Sequence, residues 1–95
     1  MIEIDSITIG SKTFQYIKID LGKAPLILLK GPVGFVMCGY LDVGTSRKLG
    51  DVAVRVTGVN DLDSLISAKV ENITEKAAEI GIKPGQIVSD ILSYL

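Results

Sequence analysis

The stretch Ile2-Glu3-Ile4-Asp5-Ser6-Ile7-Thr8-Ile9-Gly10-Ser11-Lys12-Thr13-Phe14-Gln15-Tyr16-Ile17-Lys18-Ile19-Asp20 decides how the chain begins to fold. On each side of Gly10-Ser11 apolar and polar residues alternate with the period of a strand, so residues 2–9 and 12–20 read as the two arms of a β-hairpin. Glycine followed by a small polar residue suits a two-residue type II′ turn, because its first central position needs a positive φ that glycine adopts without strain. That turn sets Ile9 opposite Lys12 and so fixes every other pair. Ile7 meets Phe14, Asp5 meets Tyr16, Ile4 meets Ile17, and Ile2 meets Ile19.

Successive side chains point to opposite faces of a strand. Ile7, Ile9, Phe14 and Tyr16 therefore share one face, and Ile2, Ile4, Ile17 and Ile19 share the other. A hairpin at the edge of a small domain needs only one apolar face. Either a β-bulge near Asp5 turns both stripes toward one core, or a second copy of the chain covers the extra stripe. Composition favours the second. The chain has 95 residues, 47% of them apolar, and a chain of this length hides only about two thirds of its unfolded surface. Ile2, Ile4, Ile17 and Ile19 are accordingly expected to form an interface between copies.

Beyond the hairpin, Pro25 opens a strand through Lys30, and Gly31-Pro32 separates it from a further strand over residues 33–40. These two are expected to form a second hairpin that continues the sheet. Asp42 reads as the N-cap of a helix through Leu49, closed by Gly50. Residues 52–59 read as a strand with Val52, Val54 and Val56 on one face and Ala53, Arg55 and Thr57 on the other. Asn60 or Asp61 caps a helix presenting Leu62, Leu65 and Ile66, and residues 69–73 make a short strand. Thr74 caps a helix through Ile80 that Gly81 stops. Pro84 is placed in the first turn of a last helix whose stripe is Ile87, Val88, Ile91, Leu92 and Leu95. Strands first and mixed elements later give an α+β fold: N-terminal antiparallel hairpins forming a sheet, with short helices and strands packed on it, all in one domain over residues 1–95.

Ten basic and eleven acidic residues are scattered along the chain, and no basic run tracks a phosphate backbone, so nucleic acid is not an expected partner. The longest uninterrupted apolar run, Pro25 to Leu29, is far short of a membrane span. No signal peptide is read at the N-terminus, where Glu3 and Asp5 stand, and a lone cysteine makes no intrachain disulfide; a cytoplasmic location is expected. The chain has no histidine. A Ser-His-Asp or Cys-His relay and a histidine metal site are thereby excluded, and no metal or cofactor is expected.

Three residues stand out as possible chemistry. Cys38 lies between Met37 and Gly39, where it reads either as a buried small hydrophobe of the fourth strand or as a thiolate activated by the helix after Asp42 and by Arg55. Arg55 reads as a structural partner of Asp51 or another acidic group, or as a fork for a carboxylate or phosphate ligand, with Asp51 beside it as a weak ligand-binding candidate. The glycines of Gly31-Pro32-Val33-Gly34 and Gly39 match neither a phosphate loop nor a dinucleotide fingerprint, so they read as turn and close-packing residues. Three functions compete: a homo-oligomeric binding or scaffold module, a thiol-dependent enzyme or sulfur carrier using Cys38 with Arg55, and a small-ligand sensor with a pocket between subunits.

From Lys23 onward the chain resembles the YunC-like domain of unknown function family, number 1805. The resemblance is carried by Gly34-Phe35-Val36-Met37-Cys38-Gly39-Tyr40-Leu41, by Lys48-Leu49-Gly50-Asp51-Val52-Ala53-Val54-Arg55-Val56-Thr57-Gly58-Val59 and by Ala68-Lys69-Val70. It implies that a β-rich N-terminal region, residues 1–40 here, mediates tetramerisation. It brings no assigned reaction and no catalytic residues.

Overall fold

A computed structural model describes all of residues 1–95. Strands β1 (Ile2–Ile9) and β2 (Lys12–Asp20) pair antiparallel with Ile9 opposite Lys12, Ile4 opposite Ile17 and Ile2 opposite Ile19. The ladder runs without a break, so no bulge interrupts it near Asp5. Gly10 has φ 63° and no other kind of residue in the chain has a positive φ. A type II′ turn needs that sign only at its first central position, whereas type I′ needs it at both.

The remaining elements are β3 (Pro25–Lys30), β4 (Gly34–Met37), α1 (Val43–Leu49), β5 (Val52–Arg55), α2 (Leu62–Ser67), β6 (Asn72–Ile73), α3 (Glu75–Glu79) and α4 (Val88–Ile91), followed by a 3-10 turn over Leu92–Tyr94. All six strands form one sheet in chain order. Each neighbouring pair is antiparallel except β4 and β5, which run parallel, with α1 as the crossover between them. The fold is α+β as expected, but this one parallel pair was not anticipated.

Several elements are shorter than their sequence pattern. The fourth strand stops at Met37 because Cys38 to Leu41 turn, the Leu41 N–H donating to the Cys38 carbonyl at 3.2 Å. The fifth stops at Arg55, and the sixth keeps only Asn72 and Ile73. Pro84 does not begin a helix. It sits with Gly85, φ 92°, in a turn closed by the Gln86 N–H on the Lys83 carbonyl, the geometry that Pro-Gly favours. From this turn, residues 85–87 pair with the segment at Lys69 and Val70, with Gly85 N–H on Val70 O at 2.7 Å, Val70 N–H on Gln86 O at 2.8 Å and a bridge between Lys69 and Ile87. That pairing satisfies backbone groups a helix would have used, so α4 starts only at Val88.

Helix ends follow local chemistry. The Asp42 carboxylate accepts from the Gly44 N–H at 2.9 Å and the Thr45 hydroxyl at 3.0 Å, and Gly50 closes α1 at φ 78°. Asp61 and Ser64 form a reciprocal capping box on α2. These bonds hold both carboxyls below the usual aspartate range. A folded-state pKa below the unfolded one means stability that is full above the unfolded value and lost as pH falls through the folded one, so both caps weaken only on strong acidification. Thr74 is buried, 1% exposed, and its hydroxyl accepts from the N–H of Ala77 at 3.3 Å and of Ala53 at 3.2 Å while donating to the Asp51 carbonyl at 2.7 Å. Thr74→Val keeps the shape and removes all three bonds, leaving a buried donor on β5 unpaired. A loss of about 2–4 kcal/mol is expected in urea unfolding, and wild-type stability would mean that the cap is idle.

One face of the sheet carries the core. Phe14, Tyr16, Ile27, Leu29, Val36, Cys38, Val54 and Val56 pack there against Leu65, Ala77, Ile82, Val88, Ile91, Leu92 and Leu95. Gly31 lies where a Cβ would come 2.7 Å from the Phe14 ring, which confirms its close-packing role. On the opposite face, α1 packs on β5, and Met37 and Ala53 are fully buried there. Over β1, β2 and β3 that opposite face has no cover.

Candidate functional site

Two features of this architecture could serve a function: the uncovered face and a cleft at one end of the sheet. The face is built by register. Ile4, Ile17, Leu28 and Met37 stand in one cross-strand row that turns polar at Arg55 and Asn72, with Ile2 and Ile19 in the neighbouring row. At the β1 edge the row is open to solvent, Ile2 being 64% and Ile4 69% exposed; Ile17, Ile19 and Leu28 are half-buried.

The cleft, about 470 Å³, lies where the parallel strands β4 and β5 end. Three loops line it: residues 23–25 entering β3, 38–40 leaving β4 and 58–60 following β5. Lys23 is its one charged side chain, and no carboxylate lines it. Its walls are braced from both sides. The Tyr40 hydroxyl donates to the Ala24 carbonyl at 3.3 Å, tying two of the loops together. From the opposite face, Arg55 donates through Nε to the Leu41 carbonyl at 3.2 Å and through Nη2 to the Gly39 carbonyl at 3.1 Å, and its Nη1 donates to Asn72 Oδ1 at 3.2 Å.

The residues singled out in the sequence are therefore placed as follows. Arg55 spends its fork on the 39–41 turn and on Asn72. Asp51 stands at the other end of β5, about 13 Å away along an extended strand. It forms no ion pair with Arg55, and its backbone, N–H to Ser46 O at 3.0 Å and carbonyl to Thr74, ties α1 to α3. Cys38 follows the last residue of β4, 3% exposed in the core. Its carbonyl has swung into the turn, and its Sγ takes the Ile27 N–H at 3.3 Å, the donor that a continued ladder would have paired. The activated pair of Cys38 and Arg55 is not assembled, because Arg55 lies opposite Met37 in register and Cys38 points to the other side of the sheet.

Cys38→Ala removes that acceptor and a small volume of core, so a loss of about 1–3 kcal/mol is expected with the oligomeric state unchanged. Thiol alkylation should proceed only on unfolding. Fast labelling of the native protein would contradict this role.

Lys23, Tyr40, Gly58 and Asn60 were not foreseen as site residues. The signal that could have found them is the strand-helix-strand unit over residues 34–55, since loops at the carboxyl ends of parallel strands commonly form clefts. A smaller cleft between β1, β2 and the start of α2 is acidic; there burial raises the Tyr16 hydroxyl pKa, with Glu3, Asp61 and Asp5 adding to it.

Residues 37–95 match the family described as Domain of unknown function (DUF1805). The chain belongs to this family. This DUF1805 chain is 35% identical over 89 residues to the uncharacterised protein YunC of Bacillus subtilis (strain 168), a match covering 90% of this chain and 88% of that protein. Its structure is similar to the crystal structure of a protein of unknown function, TA1206, from Thermoplasma acidophilum, with a TM-score of 0.97 and 49% identity, covering 100% of this chain and 93% of that one. Two of the three cleft loops lie within the DUF1805 match, whereas β1, β2 and β3 precede it. The YunC alignment spans enough of the chain to take in part of those strands.

Proposed function

We propose that this DUF1805 domain works as a homo-oligomeric binding or scaffold module, a tetramer, assembled through the uncovered face of β1, β2 and β3. The observation that carries the reading is the apolar row on that face, with Ile2 and Ile4 left 64% and 69% exposed in the isolated chain. Large apolar side chains standing side by side on a regular sheet surface are costly to leave in water. A flat face of this kind is self-complementary under two-fold symmetry, since each copy offers the same rows to the other. The family resemblance supports four copies. A thiol-based reaction is supported less well, because the Cys38 sulfur is buried and bonded to Ile27 and Arg55 serves the opposite face.

Light scattering of the purified protein at micromolar concentration tests the proposal. A mass four times the 10.1 kDa of the chain is expected, and a monomer mass overturns it.

A further inference from the structure

We propose that the cleft at the carboxyl ends of β4 and β5 binds a small molecule through an oxyanion group, carboxylate or phosphoryl, held between the Lys23 ammonium and the backbone N–H of Tyr40. The site is complete within one chain, so the proposal stands independently of the assembly.

Peptide geometry supplies the first step. In a planar trans peptide the carbonyl and the following N–H point in opposite directions. Arg55 holds the Gly39 carbonyl from the α1 side of the sheet at 3.1 Å, so the Tyr40 N–H points to the other side. That is the side of the cleft, where Cys38 and Pro25 lie. Of the backbone N–H groups on the cleft-lining residues only that of Asn60 has an acceptor within the protein, the Ser64 hydroxyl oxygen, so those of Tyr40, Gly58 and Val59 are free. Val59 is 8% exposed, and backbone donors at buried positions are rarely left unpaired.

Charge and shape supply the second step. Lys23 is unpaired, and the carboxylates flanking these loops are engaged elsewhere: Asp20 by the Met1 amino group, Asp42 by Gly44 and Thr45, Asp61 by the Ser64 N–H and Glu71 by the Thr57 hydroxyl. A cleft with free amides, one ammonium and no carboxylate selects an anion. Pro25, Val59 and the Tyr40 ring supply an apolar wall, so the anionic group is carried on a small apolar body. The volume of about 470 Å³ is that of small-molecule sites. Arg55 then acts as a positioning residue, holding the turn that aims the donor without touching the ligand.

The test titrates the full chain, in its native assembly, with benzoate and separately with inorganic phosphate, at constant ionic strength against sodium chloride, while following backbone amides by 1H–15N NMR. Saturable shifts centred on Tyr40, Gly58 and Val59 are expected with at least one of the two, and which one saturates distinguishes a carboxylate from a phosphoryl ligand. Lys23→Glu alters an exposed loop residue and should weaken that binding by roughly tenfold or more. Shifts that rise linearly, that chloride reproduces, that spread over all surface lysines, or that persist unchanged in Lys23→Glu overturn the proposal.

Discussion

Replacing Ile4 and Ile17 together by lysine is expected to dissociate the proposed tetramer into folded monomers. The two residues are directly opposite in the β1–β2 ladder and on the uncovered face, with side chains about 5 Å apart. In the isolated chain the new ammonium groups stand in water, and the core on the other face is untouched. In the proposed assembly they would enter an apolar contact, where an unpaired charge is far costlier than the isoleucine it replaces. Each isoleucine contributes roughly 1.5–3 kcal/mol when fully covered. Symmetry repeats the loss in every copy, enough to exceed the narrow surplus by which association outweighs its entropy cost. Light scattering should show the chain mass, and circular dichroism should show retained strand content. A variant that keeps the wild-type mass with unchanged concentration dependence would remove this face from the interface.

Deleting residues 87–95 should abolish the native fold. Val88, Ile91 and Leu95 are 0% exposed and Leu92 4%, so about 6–12 kcal/mol of apolar burial is lost. That is comparable to the whole stability of a small domain, about 5–15 kcal/mol. Backbone pairing goes too, since the Leu95 oxygen accepts from the N–H groups of Val33 and Gly34, and Val88 N–H donates to Ala68 O. The truncated chain should be insoluble, or bind a hydrophobic dye while losing its near-ultraviolet dichroism. A truncated form that melts with the cooperativity of the full chain would show that α4 is peripheral.

Much of the fold was legible because its signals are local. Gly10-Ser11 dictated the hairpin register, Asp42 with Gly50 bounded α1, and Thr74 with Gly81 bounded α3. Each depends on φ preferences or on a side chain reaching a backbone group a few residues away. Pro84 misled for an equally plain reason. Its fixed φ suits both a helix start and a Pro-Gly turn, and the choice was made by pairing with Val70, some fifteen residues earlier.

The candidate site was legible only in its ingredients. Cys38 and Arg55 stood out by residue type and by the runs that contain them, yet type does not say which face of a sheet a side chain joins. The parallel pairing of β4 and β5 sets Met37 opposite Arg55, sends the thiol into the core and turns the guanidinium onto the carbonyls of Gly39 and Leu41. Tyr40 and Val59 lie in the same runs as Cys38 and Arg55 but, like Lys23, carry no residue-type signal of a site, and the three become neighbours only when three loops far apart in the chain meet at one end of the sheet.

The sequence by itself determined that this chain makes α+β structure, where its first hairpin turn and the caps of its first three helices fall, and that this hairpin is apolar on both faces. Only the tertiary structure decided which of those faces the helices cover and which loops close a cleft. Turn geometry and side-chain alternation act over a few residues and are written in their order. Burial and cleft formation depend on packing between segments far apart in the chain, which no local pattern specifies.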